Sequence, residues 1–371
     1  MDLTVGGLLD IIEELAPSAL AEPWDNVGLQ LGSRDWPIRR LTVALDPTLQ
    51  VVAEACGNGA DALVTHHPLL ISPVRCFDLD NPLGKVIQLA VENRMAILSA
   101  HTNLDSASGG LNDVLAARLD LRNVKVLQPS EGARKARLEV TFRECGAENA
   151  AGEVIDAIRN LFASSRRSGA EENRLIGVST MPEALSPEEC AGMGGAQVRR
   201  VEAVLDNWRI PGILKQLRDR ITTTPIFAAS TPVSHPSADQ GLGRTGDLDS
   251  PLPLDELAVR IKSRLNLQNV RMVGDAKRTV RKVALCTGSG ASLLPVFFAS
   301  GADVMITGDV RYHDARTVEE NDRCLLDIGH FESEHLIVDV LGRQLRERIE
   351  NAGMRVAVSA SPVENSPFQS I

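Results

Sequence analysis

Paired cysteines, blocks of basic residues and long hydrophobic runs are all missing from this 371-residue sequence. Its six cysteines are scattered and none belongs to a Cys-x-x-Cys pair, which is typical of reduced thiols and argues against a disulfide framework or a thiolate zinc site. Lys and Arg number 39 against 49 Asp and Glu, so the net charge is −10. Because no basic block interrupts this acidity, we do not expect a nucleic-acid partner.

Hydrophobic runs long enough to cross a membrane are absent as well. The densest apolar run, near residues 293–299, is far shorter than the about 20 residues that a membrane helix needs. The first residues, Met1-Asp2-Leu3, lack the basic and then apolar pattern of a secretory leader. We therefore expect a cytoplasmic protein without a membrane partner. Its length and its 43% hydrophobic content predict about two globular domains.

Short apolar runs alternate with helix-like segments in the first part of the chain. An amphipathic helix is predicted to begin at Thr4 and to end before Pro17. Strands are then predicted at 41–45, 62–64 and 95–98, and helices at 48–57, 83–93 and 111–119. Such alternation predicts an α/β fold with a largely parallel sheet.

Residues 132–238 differ in pattern. Strands are predicted at 136–142, 198–205 and 226–228, helices at 153–162 and 212–220, and a Pro/Ser-rich linker at 231–237. Two β-α-β passes of this size predict a small ferredoxin-like domain. The α/β alternation then resumes, with a helix at 254–265 and strands at 270–273, 281–286, 303–306 and 324–328.

The second α/β stretch repeats the first. The segment Gly59-Ala60-Asp61-Ala62-Leu63-Val64-Thr65 aligns with Gly301-Ala302-Asp303-Val304-Met305-Ile306-Thr307, with identity at Gly, Ala, Asp and Thr. A similar strand precedes each segment, and a strand followed by His-x-x-x-acid comes after each. We interpret the core as two similar α/β halves, residues 1–131 and 239–371, with the 132–238 domain inserted between them.

Polar side chains gather at the strand ends of both halves, which is where open α/β sheets bind ligands. The predicted site residues are His66, His67, His101, Asp105, Asp309, His313, His330 and Glu334. Imidazole and carboxylate ligands without cysteine favour zinc, manganese, iron, cobalt or nickel. Neighbouring residues of extended backbone point in different directions, so we expect the double histidine to serve two ions rather than one. Two ions about 3.5–4 Å apart are typical of metal-dependent hydrolysis.

Several of these residues keep a second interpretation. His330 and Glu334 fall on one helical face and suit metal binding, but Glu334 also fits as a first-turn acid that complements the helix dipole. His101 either binds metal or orients Asp105.

The pair Asp309 and His313 and two loops also allow more than one interpretation. Asp309 and His313 either face substrate or transfer protons, or each is structural. The stretch 23–32, with Trp24 and Asp25, is either a packed loop or part of the site. The glycine-rich segment Gly241–Gly246 matches a phosphate-binding loop only weakly, because no strand–turn–helix context surrounds it.

Five ordered motifs resemble those of the NIF-three-like dinuclear metal-centre proteins, often called GTP cyclohydrolase type-two homologues. The motifs are Trp24-Asp25-Asn26-Val27-Gly28, Thr65-His66-His67-Pro68, His101-Thr102-Asn103-Leu104-Asp105, Thr307-Gly308-Asp309-Val310-Arg311-Tyr312-His313-Asp314-Ala315 and Gly329-His330-Phe331-Glu332-Ser333-Glu334. The resemblance covers about 1–131 and 239–371. It implies an α/β core of two similar halves, a pair of divalent ions between them and a ring-shaped homohexamer.

By position, the resemblance places the metal ligands on His66, His67, Asp105, His330 and Glu334. The 132–238 insert resembles, in place and size, the PII/CutA-like domain of the longer members. Our first functional hypothesis is a metal-dependent hydrolase acting on a nucleotide or related heterocycle, with His101 or His313 assisting proton transfer; the cyclohydrolase action on GTP is what the family name implies. The alternative is a non-catalytic metal-binding regulatory or scaffold protein.

Overall fold

The computed structural model describes residues 2–130, 135–144, 174–181, 197–206, 210–220, 226–233 and 239–369. The chain divides into two compact units. The core unit consists of Met1–Ser130 and Asp239–Ile371, and the inserted unit consists of Glu131–Ala238. No helix in the described ranges is long and apolar enough to cross a membrane.

Strands and helices alternate along most of the described chain. The strands are β1 (Leu3–Thr4), β2 (Gly28–Leu31), β3 (Pro37–Ile38), β4 (Arg40–Ala44), β5 (Ala62–Thr65), β6 (Ala96–Ser99), β7 (Arg122–Pro129), β8 (Lys135–Glu144), β9 (Arg174–Met181), β10 (Gln197–Asp206), β11 (Ile226–Val233), β12 (Gly241–Pro253), β13 (Arg271–Val273), β14 (Thr279–Ser289), β15 (Val304–Gly308), β16 (Cys324–Asp327) and β17 (Ala357–Ala360). The helices are α1 (Val5–Leu15), α2 (Leu49–Gly57), α3 (Pro82–Glu92), α4 (Thr102–Ser106), α5 (Leu111–Arg118), α6 (Ile210–Arg220), α7 (Leu254–Arg264), α8 (Leu294–Ser300), α9 (Tyr312–Glu320), α10 (His330–Glu334) and α11 (Leu336–Asn351).

The first helix shows how local sequence fixes these bounds. Thr4 is the N-cap of α1, and its Oγ1 accepts a hydrogen bond from the amide of Gly7 at 3.2 Å. The buried residues Val5, Leu8 and Ile12 form one stripe along the helix. The helix ends at Leu15, two residues before the proline that the sequence marks as its end.

The core unit contains two large sheets in its described part. The five-stranded sheet has the order β17-β4-β5-β6-β2, with β17 to β6 parallel and β2 antiparallel at the edge. The six-stranded sheet has the order β13-β16-β15-β14-β12-β7, and only β14, β15 and β16 are mutually parallel. The largely parallel sheet predicted for the first half is therefore confirmed, whereas the sheet of the second half has only three parallel strands out of six.

The strands β7 and β12 were not predicted, because β12 contains glycines that are typical of loops. The glycines instead allow close strand pairing. A Cβ atom on Gly241, which has a φ of +153°, would lie 2.1 Å from the carbonyl oxygen of Gln128 in β7. The Gly241–Gly246 segment is thus part of a strand, and the phosphate-loop interpretation is wrong for it.

The repeat predicted from the sequence is visible in the fold and extends further than predicted. Each half contains a helix and an edge strand (α1 and β2, α7 and β13), then three parallel strands with two crossover helices, then a five-residue helix (α4 or α10). The shared aspartate also has a structural role. Asp61 Oδ2 accepts hydrogen bonds from the amides of Arg39 and Arg40, and Asp303 Oδ2 accepts from the amides of Arg281 and Lys282, all at 2.7–2.9 Å.

Helices cover the two sheets and connect them. Residues of α2 and α3 pack with β4, β5 and β6 in one hydrophobic cluster that includes Val52, Leu63 and Ile97. Residues of α8 and α9 pack on the six-stranded sheet around Phe297 and Met305. The long helix α11 contacts β4 and α5, and α5 contacts β12 and β14. The two halves are therefore joined through their helices, which brings their strand ends to a common place.

The inserted unit contains an antiparallel sheet of order β11-β8-β10-β9, with α6 between β10 and β11. The helix predicted at 153–162 lies outside the described residues, and β9 was not predicted. The predicted linker 231–237 is corrected at its start, because Thr231–Val233 belong to β11 and pair with β8. Pro232 is compatible with this position because β11 is an edge strand, where a missing N–H is tolerated.

Candidate metal centre

The double histidine lies just beyond β5, where the backbone bends. The amide of His66 donates to Ala44 O (3.2 Å) and the amide of His67 donates to Leu45 O (2.9 Å), so both residues run beside the end of β4. Thr65 Oγ1 donates to the carbonyl oxygen of His67 at 2.7 Å. The expectation that the two rings diverge is wrong, because the chain has left the strand. Their centroids are 5.1 Å apart, and both belong to one group of potential ligands.

Glu334 brings the second half of the core unit to this cluster. Its side chain is only 4% exposed. Its Oε2 lies 3.0 Å from His67 Nε2 and 2.9 Å from His330 Nε2. Its Oε1 lies 3.8 Å from His66 Nε2, which is also 3.7 Å from Asp105 Oδ1. Residues of both halves therefore meet around one buried carboxylate.

Each histidine of the cluster is oriented by a hydrogen-bond partner on its Nδ1 atom. The partners are Ala100 O for His66 (2.9 Å), Asp46 Oδ1 for His67 (2.8 Å), Asp25 Oδ1 for His101 (2.9 Å) and Asp309 Oδ2 for His330 (2.7 Å). A neutral histidine whose Nδ1–H is donated in this way has its free lone pair on Nε2. Such carbonyl and carboxylate partners are the usual support of metal-binding histidines.

The atoms that face the centre of the cluster lack partners in the described part of the chain. His66 Nε2, Asp105 Oδ1 and Glu334 Oε2 are buried and make no hydrogen bond, although Glu334 Oε2 lies within ion-pair distance of His67 and His330. Buried polar atoms without a partner are costly, so a bound cation is the natural explanation for atoms that all accept. The residues present therefore fit a metal ion.

Two overlapping groups of side chains could hold such an ion. One group is His66, His67 and His101, and the other is His67, His330 and Glu334; within each, the ligand atoms lie within 4.8 Å of one another. The first group consists of imidazoles alone, and the second combines two imidazoles with a carboxylate. Neither group contains sulfur, which suits divalent transition metals.

The electrostatics of His67 and His330 also favour a bound cation. Burial disfavours the charged form of His67, but its contacts with the carboxylates of Asp46 and Glu334 outweigh burial and raise its pKa to about 10. For His330, the contact with Glu334 acts against burial and, together with Asp309, raises the pKa to about 9. Without a cation, protons are therefore held where a metal would otherwise bind.

The two buried carboxyl groups differ. Burial, only partly offset by the neighbouring His66, raises the pKa of Asp105 to about 7. Burial also acts to raise the pKa of Glu334, but the surrounding His330, His66 and His67 hold that pKa well below its ordinary value. Glu334 is thus a permanent carboxylate at the centre of the cluster, as a metal ligand has to be.

A glycine makes room for this carboxylate. Gly288 lies in β14 with a φ of +59°, and a Cβ atom there would lie 2.1 Å from Glu334 Oε1. Its amide donates to Ser333 Oγ at 2.9 Å, which ties β14 to α10. No residue with a side chain could occupy this position without moving Glu334.

The structure brings most of the predicted site residues together. His66, His67, His101, Asp105, His330 and Glu334 lie in or beside the cluster. Asp309 is half exposed, has a left-handed φ of 53° and accepts the Nδ1 hydrogen bond of His330. His313 is exposed at the start of α9 and belongs to neither potential ligand group in the described residues.

Of the carboxylates that orient the histidines, Asp46 was not singled out from the sequence, and Asp25 was considered only as part of the stretch 23–32. Asp46 follows the end of β4, so the strand-end rule that found the histidines also applied to it. Asp25 lies in a loop, and its role depends on His101 and Thr102, which are 76 and 77 residues away. The amide of Thr102 donates to Asp25 Oδ2 at 3.0 Å, and its hydroxyl donates to the same oxygen. Only the motif around Asp25 hinted at this role.

Trp24 stands beside the cluster with its ring in solvent. It is 60% exposed, and its ring centroid lies 5.9 Å from that of His101 in an edge-on arrangement. The loop is anchored directly after Trp24, since Asp25 is fixed as described and Asn26 Nδ2 donates to Leu70 O at 2.6 Å. A large aromatic surface is thus presented to solvent on a well-anchored loop.

Comparisons with known proteins find similar sequences and structures along nearly the whole chain. A family model described as Duf34/NIF3 (NGG1p interacting factor 3) matches residues 3–367. The chain is 28% identical over 371 residues to a GTP cyclohydrolase 1 type 2 homolog of Bacillus subtilis (strain 168), covering 97% of each protein. Among solved structures, it resembles a Bacillus cereus protein related to NIF3 with a TM-score of 0.81 and 28% identity, covering 100% of this chain and 99% of that one. A Staphylococcus aureus hypothetical protein gives a TM-score of 0.75 at 26% identity over the same shares.

Proposed function

Because this chain belongs to the Duf34/NIF3 family, we propose that it is a metal-dependent hydrolase that holds two divalent ions and acts on a nucleotide or related heterocycle. The proposed ligands are His66, His67, Asp105, His330 and Glu334. Its relatives bear the name GTP cyclohydrolase 1 type 2 homolog, which makes GTP the first substrate to test.

The observation that carries the proposal is the set of buried atoms at the centre of the cluster that make no hydrogen bond. Charge supports two ions rather than one. The carboxylates in and behind the cluster are Asp25, Asp46, Asp105, Asp309 and Glu334. With neutral histidines these five groups carry −5 when all are ionised, and two divalent ions nearly balance that charge, whereas one ion leaves a large unpaired excess.

When bound, such ions lower the pKa of water and polarise the substrate. The chain itself supplies a proton acceptor in His101. Although burial acts against it, hydrogen bonds from His101 and Thr102 lower the pKa of Asp25 to about 2. Asp25 therefore stays ionised, holds Nδ1 of His101 and leaves Nε2 to accept a proton from the attacking water.

The role of His101 is testable by substitution. We expect His101→Gln to lower kcat while bound metal, measured by elemental analysis, stays unchanged. A loss of metal in this variant would instead make His101 a ligand, as its place in one of the two groups allows. Asp309 orients His330. The role of His313 as a second proton carrier stays a prediction.

Trp24 supports a ring-shaped substrate. Its exposed ring beside His101 offers a face on which a heterocycle can stack, a contact worth about 0.5–1.5 kcal/mol beyond burial. That range corresponds to a rise in KM of about 2- to 13-fold in Trp24→Ala, and Trp24→Phe, which keeps a ring, is the matched control. Equal KM values in both variants and the native protein would rule out stacking on this residue.

The hydrolase proposal is tested with purified protein loaded in turn with zinc, manganese or iron and incubated with GTP and other nucleotides. We expect turnover that is lost in Glu334→Gln, whose side chain has nearly the same size. If no substrate is converted with any metal, while metal changes assembly or partner binding, the protein is the non-catalytic regulatory or scaffold protein of our alternative hypothesis.

We also propose a homohexamer and a PII/CutA-like insert. The strand order β11-β8-β10-β9 and the helix α6 between β10 and β11 support a ferredoxin-like insert, which is the fold class that such a domain requires. The hexamer follows from the family resemblance alone. Native mass measurement tests it, with six copies expected and a monomer peak as the contrary result.

A further inference from the structure

Two carboxylates outside the ligand set, Glu364 and Asp327, hold the backbone on which the metal site is built. We propose that they are positioning residues that set the metal affinity of the site by fixing the partners of His67 and His330. This inference rests on the proposed metal site, and it assigns a role to two residues that neither bind the ion nor touch its ligands' side chains.

Glu364 acts on the first half. Its side chain is 3% exposed although it lies in the segment after the last strand. Its two carboxylate oxygens accept the amide of Leu45 at 2.8 and 2.9 Å, and Oε1 also accepts the amide of Asp46 at 3.0 Å. Asp46 Oδ1 in turn holds Nδ1 of His67 at 2.8 Å. Glu364 therefore fixes the main chain of the residue that orients one ligand.

The same carboxylate also faces the second half. Its Oε2 lies 3.4 Å from Nε2 of His335, the residue directly after Glu334. The ring of His335 is stacked on Phe331 of α10 with centroids 4.7 Å apart. Glu364 thus lies between the loop that carries Asp46 and the helix that carries Glu334 and His330.

Asp327 acts on the second half from the end of β16. Its side chain is 4% exposed. Its Oδ2 accepts the amide of Val310 at 3.2 Å, and its Oδ1 accepts the amide of Gly329 at 3.0 Å. Val310 follows Asp309 and Gly329 precedes His330, so one carboxylate fixes both members of the Asp309–His330 pair.

Asp309 shows why this support matters. Its φ of 53° is left-handed, which costs a residue with a side chain about 1–2 kcal/mol. The hydrogen bond from the next amide to Asp327 helps to hold that conformation. The guanidinium of Arg271 donates to the same Asp327 oxygen, and this charge-assisted contact holds the carboxylate in its buried place.

The two positioning residues do not derive from the internal repeat. The position of Asp327 at the end of β16 corresponds to Ser99 at the end of β6, whose Oγ donates to His66 O at 2.8 Å. Glu364 follows β17, which is parallel to β4, whereas the corresponding place beside β14 is taken by the antiparallel strand β12. Each half therefore fixes its histidine by a different device, as expected if the support is selected by the site rather than inherited with the fold.

The test measures affinity for cobalt and zinc by competition with a chromophoric chelator. In Glu364→Gln and Asp327→Asn we expect metal binding to weaken by about 10- to 100-fold, the effect typical of the residues that support ligands. The visible spectrum of the cobalt-loaded variants should also change, because His67 or His330 is no longer held in one orientation. If Glu364→Gln does not fold, Glu364→Asp replaces it.

The matched controls are Asp61→Asn and Asp303→Asn. These carboxylates also accept two backbone amides each, but they directly precede β5 and β15, at the opposite ends of those strands from the site. We expect a similar loss of thermal stability and unchanged metal affinity in the controls.

Unchanged affinity in both site variants, or an equal loss in variants and controls, overturns the positioning role. Failure of the native protein to bind metal is a separate result, since it refutes the proposed metal site itself.

Discussion

Gly288→Ala is the substitution whose effect on the site follows most directly from the geometry. Gly288 has a φ of +59°, a conformation that costs a residue with a Cβ atom about 1–2 kcal/mol. The new Cβ would lie 2.1 Å from Glu334 Oε1, 3.0 Å from its Cδ and 3.3 Å from His330 Nε2. Since ordinary contacts begin at 3.4 Å, the new Cβ and Glu334 Oε1 have to move apart by about 1.3 Å to reach one.

A displacement of that size is large for a metal ligand. Metal–ligand distances are held to within about 0.2 Å in well-formed sites. We therefore expect zinc affinity to fall at least as far as when a supporting residue is lost, by about 100-fold. The unfolding free energy of the metal-free protein should fall by more than the backbone strain of about 1–2 kcal/mol, because Glu334 is also pushed from His67 and His330.

Gly301→Ala separates strain from collision. Gly301 has a similar φ of +71°, but no atom lies within 4 Å of the position of its Cβ. We expect this control to lose a similar strain energy in chemical denaturation and to bind zinc as the native protein does. Chelator competition then decides the matter. Native affinity in Gly288→Ala would refute the reasoning, because Glu334 would then be free to move without effect on the metal.

Three further outcomes follow from the structure. The pKa values of His67 and His330 are raised to about 10 and about 9. The stability that these two residues provide to the metal-free protein is therefore complete below pH 6.5 and is lost as pH rises through 9 and 10. Urea titrations at pH 7.5 and 10 should show this loss. For the same reason metal binding at pH 8 should release about two protons, measured calorimetrically in buffers of different ionisation enthalpy, and no release would contradict the assignment. Arg244 is 2% exposed and donates to Asp113 and to main-chain oxygens. Arg244→Met should therefore lower the unfolding free energy by about 3 kcal/mol. The control Arg264→Met should lower it by about 1 kcal/mol or less, because the pair of Arg264 with Asp120 is exposed.

Much of the core fold could be predicted from the sequence, because the hydrophobic pattern of each segment matches the burial of the element that it forms. Alternating apolar runs and amphipathic segments predicted the parallel strands β4, β5 and β6 and their crossover helices, since buried strands need continuous apolar residues. The repeat was accessible because Asp61 and Asp303 cap the same backbone amides in each half. The strand β12 was not, because its glycines serve close pairing with β7 rather than a turn.

The metal site likewise has parts that the sequence could predict and parts that it could not. Strand ends of a parallel sheet converge, so His66 and His67 could be expected to lie near Asp105 from the sequence alone. The bend after Thr65 could not be predicted, because it depends on hydrogen bonds to the end of β4, and it brings both rings into one group of potential ligands. The role of Asp25 depends on a contact across 76 residues, which no local pattern contains.

The insert and the assembly stay predictions. Strands β8 to β11 are described, but the predicted helix at 153–162 lies outside the described residues. The PII/CutA-like character and the homohexamer are therefore expectations that rest on resemblance and, for the insert, on strand order.

The central claim is that His67 and Glu334, from opposite halves of the core, share in binding metal. Elemental analysis of the purified protein after incubation with zinc, manganese or iron tests it directly, with His67→Ala and Glu334→Gln analysed in parallel. We predict two ions per chain in the native protein and fewer in each variant. Unchanged metal content in both variants, or no metal in the native protein, would contradict the account.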